Sequence, residues 1–275
     1  MMNQHFGICE WSLPVSGPLA IRIAAEIGYD GIQLGEAGGG KMGYPLNHKR
    51  VQELYKEAAE AFGIELHSIN LGALLREGAL NYARGTTKGE FARESLKNGF
   101  CACESLDIHT VVITVEPESE EQKCNVIEHL NYAGRLAAAC DVEIAVESAQ
   151  PLEAARELLN ALDERTKLCM DILNPLRFGT GQPGEQIESF SGERISHFHM
   201  KDAPAELFQR GQRGCALLGC GDGGYKETVE LIKKLSYQGW LITENYYYLP
   251  PMNDGSKDFV QLAREDLATL KRSFT

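Results

Sequence analysis

Ile195-Ser-His-Phe-His-Met-Lys-Asp202 reads as an extended strand whose two faces differ in kind. A period of two puts Ile195, His197, His199 and Lys201 on one face and Ser196, Phe198, Met200 and Asp202 on the other. Two imidazoles and an ammonium on one strand face need water, an acidic partner or a metal ion, because a buried charge must be paired. Two hydrogen-bonded interior histidines are the plain alternative for this strand taken alone. Working outward, other apolar runs end in acids: Val142–Glu147, Lys167–Asp171 and Trp240–Glu244.

The rest of the chain alternates strand and helix. Strands are expected at Phe6–Trp11, Tyr29–Leu34, Ile64–Asn70 and Asp107–Val115, then at the four runs above. Helices are expected from Pro18 to Ile27, from the Asn47 cap to Phe62, and over Lys88–Leu106, Glu120–Ala139 and Leu152–Leu162. A short one near Gly184–Phe190 precedes Lys226–Leu235 and the closing helix Lys257–Phe274. Eight strands and eight helices in alternation imply an all-parallel sheet. The fold class is therefore α/β, a single (β/α)8 TIM barrel forming one domain over residues 1–275. A doubly wound open sheet is the runner-up. No G-x-G-x-x-G turn follows the first strand, so its dinucleotide-binding version has little support.

Composition bounds the function. With 43% apolar and 24% charged residues, the 275-residue chain can bury a large core. A formal charge of −12 disfavours nucleic acid and anionic membranes as partners. No apolar run is long enough for a membrane span, and the N-terminus lacks a secretory pattern, so the expected address is cytoplasmic. Eight cysteines without CxxC spacing read as reduced thiols.

In a barrel of this kind chemistry sits at the C-terminal ends of the strands. Parity turns Glu147, Asp171, His199 and Glu244 into the barrel mouth, one from each of four consecutive strands. Three carboxylates and an imidazole suit one divalent ion. Mn²⁺ is the first expectation, with Mg²⁺, Co²⁺ or Zn²⁺ as alternatives. Lys201 shares the His199 face and could hold a substrate oxygen or form a rim salt bridge. His197 lies one layer deeper, and Trp11 could wall a sugar ring. The glycines of Leu218–Gly224 could cradle a phosphate, though a turn entering the next helix is the simpler expectation.

The chain resembles the xylose isomerase-like barrels of sugar-phosphate isomerases and epimerases. That group includes ketose 3-epimerases, inosose isomerase and dehydratase, hydroxypyruvate isomerase and, more distantly, endonuclease IV. The resemblance is carried by Gly28-Tyr-Asp-Gly-Ile-Gln-Leu34, Ala145-Val-Glu147, Met170-Asp171, His197-Phe-His-Met-Lys-Asp202, Leu218-Gly-Cys-Gly-Asp222 and Gly239-Trp-Leu-Ile-Thr-Glu244. It implies a metal quartet of Glu147, Asp171, His199 and Glu244, with Glu147 and Glu244 as the acid/base pair. Two substrate-facing positions depart from the pattern. Gln33 stands where the second strand often carries Glu, and Asn174 where the ketose 3-epimerases carry His.

The expected activity is isomerisation or epimerisation of a sugar, sugar phosphate, inosose or keto acid, by proton transfer through a metal-chelated enediolate. An inosose-type dehydratase is the alternative. An endonuclease IV-like hydrolase would need more metal ligands and a basic groove. A non-catalytic sugar-binding barrel is the remaining class. The expected partner is a small polyhydroxylated substrate, and a homo-oligomer is compatible with the sequence.

Overall fold

Val111, Val112 and Ile113 are wholly buried, which is why the run around them forms a strand covered on both faces. The computed structural model describes residues 4–35, 37–39, 44–190, 192–210, 212 and 214–274. Its strands are β1 (His5–Cys9), β2 (Gly31–Leu34), β3 (Glu65–Asn70), β4 (Thr110–Val115), β5 (Glu143–Ser148), β6 (Lys167–Asp171), β7 (Ile195–Met200) and β8 (Trp240–Thr243). They close in chain order into a single (β/α)8 barrel. The helices between them are α1 (Pro18–Ile27), α2 (Lys49–Phe62), α3 (Thr87–Leu106), α4 (Glu120–Cys140), α5 (Leu152–Asn160), α6 (Pro183–Ser189), α7 (Tyr225–Lys234) and α8 (Phe259–Phe274). Among the described residues no helix is long and apolar enough to cross a membrane.

Two compact units divide the chain: residues 1–32, 62–65 and 169–275, and residues 33–61 and 66–168. In the first, β8 pairs in parallel with β1 and β7, and Ile242 is level with Gly7 and His199. In the second, β4 pairs in parallel with β3 and β5, and Thr114 is level with Glu147.

Helix boundaries follow local chemistry. Gly28 adopts a left-handed φ of 104° at the end of α1 and bonds back to Ala24 and Ala25, a cap that a side chain would strain. Thr86 accepts the Gly89 N–H at the start of α3, and Ser119 the Gln122 N–H at the start of α4.

Several expected boundaries move. β1 stops at Cys9, not Trp11, because Glu10 turns its carboxylate back onto the Gly17 N–H at 2.6 Å and Glu10–Ser12 closes as a 3-10 turn. β4 starts at Thr110 because Asp107 is the left-handed cap of α3, at φ 58°. β7 and β8 end at Met200 and Thr243, so Lys201 and Glu244 follow their strands. A short helix at Gly72–Arg76 was not expected from the sequence. Of the glycine-rich stretch 35–45, residues 36 and 40–43 lie outside the described residues.

The Leu218–Gly224 stretch does turn into α7, and the anion it encloses is the chain's own. Asp202 is wholly buried. Its Oδ1 accepts the N–H groups of Ala203 and Gly223, each at 2.9 Å. Its Oδ2 accepts those of Gly219 and Gly221, each at 3.0 Å. A Cβ on Gly221 would lie 2.4 Å from Asp202 Oδ1 and 2.7 Å from the Ala203 backbone, so only glycine fits there.

A second buried carboxylate ties α8 to this region. Asp266 accepts from Leu218 N at 2.8 Å, Asn245 Nδ2 at 2.7 Å and Tyr247 OH at 3.0 Å. Burial outweighs these three donors and pushes its carboxyl up to about 7. An acid whose folded value is raised stabilises the fold fully below its unfolded value, about 3.9, and that contribution is lost as pH rises through the folded one. We therefore expect thermal stability to fall from about pH 4 to about pH 7, by up to ~1.4 kcal/mol per unit, and to level off above. Asp266→Asn should flatten that slope. Equal slopes in both proteins would contradict the assignment.

Candidate functional site

Asp171 is the last residue of β6, His199 the penultimate residue of β7, and Glu244 the residue after β8. The β7–β8 register sets His199 beside Ile242, and the Glu244 N–H bonds Met200 O at 3.0 Å. One level further along, the side chains converge. His199 Nδ1 lies 3.3 Å from Glu244 Oε2. Lys201 Nζ lies 2.7 Å from the same oxygen and 2.5 Å from Asp171 Oδ2. Trp11 donates its indole N–H to Glu244 Oε1 at 3.0 Å. Asp171 Oδ1 accepts the main-chain N–H groups of Leu173 and Asn174, at 2.8 and 2.7 Å. Each carboxylate is thus oriented from at least two directions.

In the other unit, Glu147 is the penultimate residue of β5, and the Thr114 hydroxyl on β4 donates to its Oε2 at 2.9 Å. Glu147, Asp171, His199 and Glu244 each offer one ligand atom, and these atoms lie within 4.8 Å of one another. All four residues are at most 7% exposed. That spacing, depth and donor chemistry fit a single divalent cation, since ligands at 2.0 to ~2.5 Å from one ion must be this close together.

Lys201 changes the charge of the set. It is 4% exposed and sits between two acids, so the salt bridges it makes are buried and not solvent-facing. Three carboxylates and one ammonium sum to −2, which a divalent ion would bring to zero. Burial alone would raise the Glu244 carboxyl, but Lys201 and then His199 outweigh it and hold it well below the usual carboxylate range. Glu244 is therefore ionised at neutral pH.

The remaining candidates are placed as follows. Trp11 belongs to the 3-10 turn after β1 and acts through its N–H on Glu244, where the sequence suggested only an apolar wall. His197 is wholly buried one layer below His199, with Nδ1 at 3.1 Å from Ser196 Oγ. Asn174 opens the short helix Asn174–Arg177, half-buried, with its main chain on Asp171. Gln33 is wholly buried on β2. Sequence reasoning missed Cys9, whose Sγ lies 3.9 Å from His199 Nε2, and Thr114. With the first strand read through to Trp11, nothing in the sequence marked Cys9, and nothing in a β-branched strand marks Thr114.

The family model of the xylose isomerase-like TIM barrel matches residues 21–272. A curated relative from Actinoplanes sp. (strain ATCC 31044 / CBS 674.73 / SE50/110), 2-epi-5-epi-valiolone 7-phosphate 2-epimerase, is 27% identical over 239 residues, covering 84% of this chain and 83% of its own. Among solved structures, D-allulose 3-epimerase from Methylomonas sp. superposes with a TM-score of 0.75 at 14% identity over 99% of both chains. The IOLI protein with a bound zinc atom gives 0.74 at 19% identity over 98% of this chain and 97% of that one. A fusion of a xylose isomerase-like TIM barrel with a 4-hydroxyphenylpyruvate dioxygenase gives 0.73 at 18% identity over 98% of this chain, which spans 42% of the fusion. With a family match over nearly its whole length and a barrel of the same architecture, the chain belongs to the xylose isomerase-like TIM barrel family.

Proposed function

We propose that the protein is a divalent-metal-dependent epimerase or isomerase of a small polyhydroxylated carbonyl compound. The observation that carries this reading is the convergence of Glu147, Asp171, His199 and Glu244 within ligand range of one another. The names of the curated relative and of the Methylomonas structure, both epimerases, favour epimerisation as the outcome. The acid-rich donor set suits Mn²⁺, Mg²⁺ or Co²⁺, and the zinc of the IOLI structure keeps Zn²⁺ among the candidates. An ion held there would polarise a substrate carbonyl as a Lewis acid and fix its orientation.

The chain's own residues do the rest. Glu147 and Glu244 serve as proton acceptor and donor, approaching the substrate from different strands. Lys201 and His199 keep Glu244 ionised and Trp11 holds its other oxygen, so that its carboxylate is ready to take a proton. Thr114 fixes the Glu147 carboxylate through one oxygen. Lys201 also places a positive charge where negative charge would develop on a substrate oxygen.

Metal binding tests the site directly. Asp171→Ala and His199→Ala are each expected to lose tight Mn²⁺ binding while keeping the circular dichroism of a folded barrel. Wild-type affinity in both folded variants would remove the quartet as the ion site. Lys201→Met is expected to retain Mn²⁺ and to lower kcat by roughly 10²-fold, the effect of one lost electrostatic donor. An unchanged kcat would confine Lys201 to pairing buried acids.

A further inference from the structure

We propose that Cys169, His197 and His199, together with Cys9, form a second cation site that takes a thiophilic ion and competes with the carboxylate site for His199. The competition rests on the reading given under Proposed function, whereas the sulfur site itself does not.

Cys169 lies on β6, His197 and His199 on β7, and Cys9 ends β1. Ligand atoms of Cys169, His197 and His199 lie within 4.8 Å of one another, and Cys9 Sγ is 3.9 Å from His199 Nε2. None of the four is more than 3% exposed. Two thiols and two imidazoles are the donor set of a four-coordinate soft ion, unlike the oxygen-rich set above it.

The imidazoles are oriented for this. Nδ1 of His197 faces the Ser196 hydroxyl at 3.1 Å, and Nδ1 of His199 faces Glu244 Oε2 at 3.3 Å. On His199, Nδ1 is turned to the Glu244 carboxylate and Nε2 to the Cys9 sulfur. Ligating histidines are usually held this way, through an oxygen on the other nitrogen. His199 thereby stands between two donor sets, one per nitrogen. A neutral imidazole has a single lone pair, so it can serve the carboxylates through Nδ1 or the sulfurs through Nε2, but not both.

The test uses Cd²⁺ and Mn²⁺ on the full chain with Cys101, Cys124, Cys140 and Cys220, which are exposed or half-buried, replaced by serine. One equivalent of Cd²⁺ should bring up a thiolate-to-cadmium absorption band. Excess Mn²⁺ should suppress the band. Cys169→Ser, and separately His197→Gln, should weaken Cd²⁺ binding by about 10-fold or more while leaving Mn²⁺ affinity within about threefold, with folding checked by circular dichroism. Cd²⁺ bound without the band, or with affinity unchanged in both variants, overturns the sulfur site. A band undiminished at full Mn²⁺ occupancy overturns the competition. If the band behaves as expected but Asp171→Ala still binds Mn²⁺ tightly, the sulfur site stands and the carboxylate reading fails.

Discussion

Glu147→Gln and Glu244→Gln are each expected to lower turnover by roughly 10²- to 10⁴-fold, the usual contribution of a positioned acid or base. Glutamine keeps the size and one oxygen of the side chain, so each variant should retain at least partial metal binding, but the amide cannot accept a proton. The two acids are not equivalent. Glu244 is held ionised by Lys201 and takes the Trp11 N–H on its other oxygen, whereas Glu147 is oriented by a neutral hydroxyl. If they serve opposite faces of the substrate, one variant should still exchange the α-proton of one stereoisomer with solvent, and the other variant that of its epimer. Normal turnover in both variants would sink the two-acid scheme. Loss of exchange with both isomers in both variants, with the ion retained, would point to a single-base isomerase.

The largest effect on stability is expected at Asp202. Its two oxygens accept four backbone N–H groups in a wholly buried position. Hydrogen bonds to a charged acceptor are worth about 1.5 to 3 kcal/mol each, and donors left without an acceptor cost the full desolvation of each group. Asp202→Ala should therefore destabilise the protein by more than ~4 kcal/mol. Asp202→Asn fares little better, because its amide nitrogen would face two N–H donors where an oxygen now accepts them. Gly221→Ala attacks the same cradle from the other side, since its Cβ would collide with Asp202 and with the Ala203 backbone. Chemical denaturation reads all three. A loss below about 1 kcal/mol for Asp202→Ala would show that the loop does not depend on the buried anion. Because the Asp202 N–H donates to Asn245, next to Glu244, loss of the cradle should reach the candidate site as well.

The parts of this architecture that were legible in the sequence are those set by local pattern. Period-two runs ending in Glu147, Asp171 and Glu244, and the alternation of His197 with His199, announced strands with chemistry at their C-terminal ends. What the pattern could not carry was interaction between distant segments. β1 ends early because Glu10 bonds Gly17, a contact no periodicity records. Parity set Lys201 on the His199 face, but its two acidic partners come from β6 and from the end of β8. Trp11 and Glu244 meet only because β1 pairs with β8. Cys9 and Cys169 looked like scattered thiols for the same reason, since barrel closure brings them to His199 and no spacing motif does. The G-x-G-D segment was compatible with a phosphate cradle or a turn, and only the position of Asp202 decides between them.

Proton transfer beside a carbonyl by these buried acids and the ion proposed for them is read by solvent deuterium exchange. The protein would be stripped with a chelator, reloaded with Mn²⁺, and incubated in deuterated water with a panel of ketoses, inososes and keto acids, phosphorylated and free. Deuterium is expected at the carbon next to the carbonyl of at least one compound, present after Mn²⁺ is restored and lost on chelation. Exchange that persists undiminished in the stripped protein, or its absence from every member of the panel with Mn²⁺ bound, would contradict it.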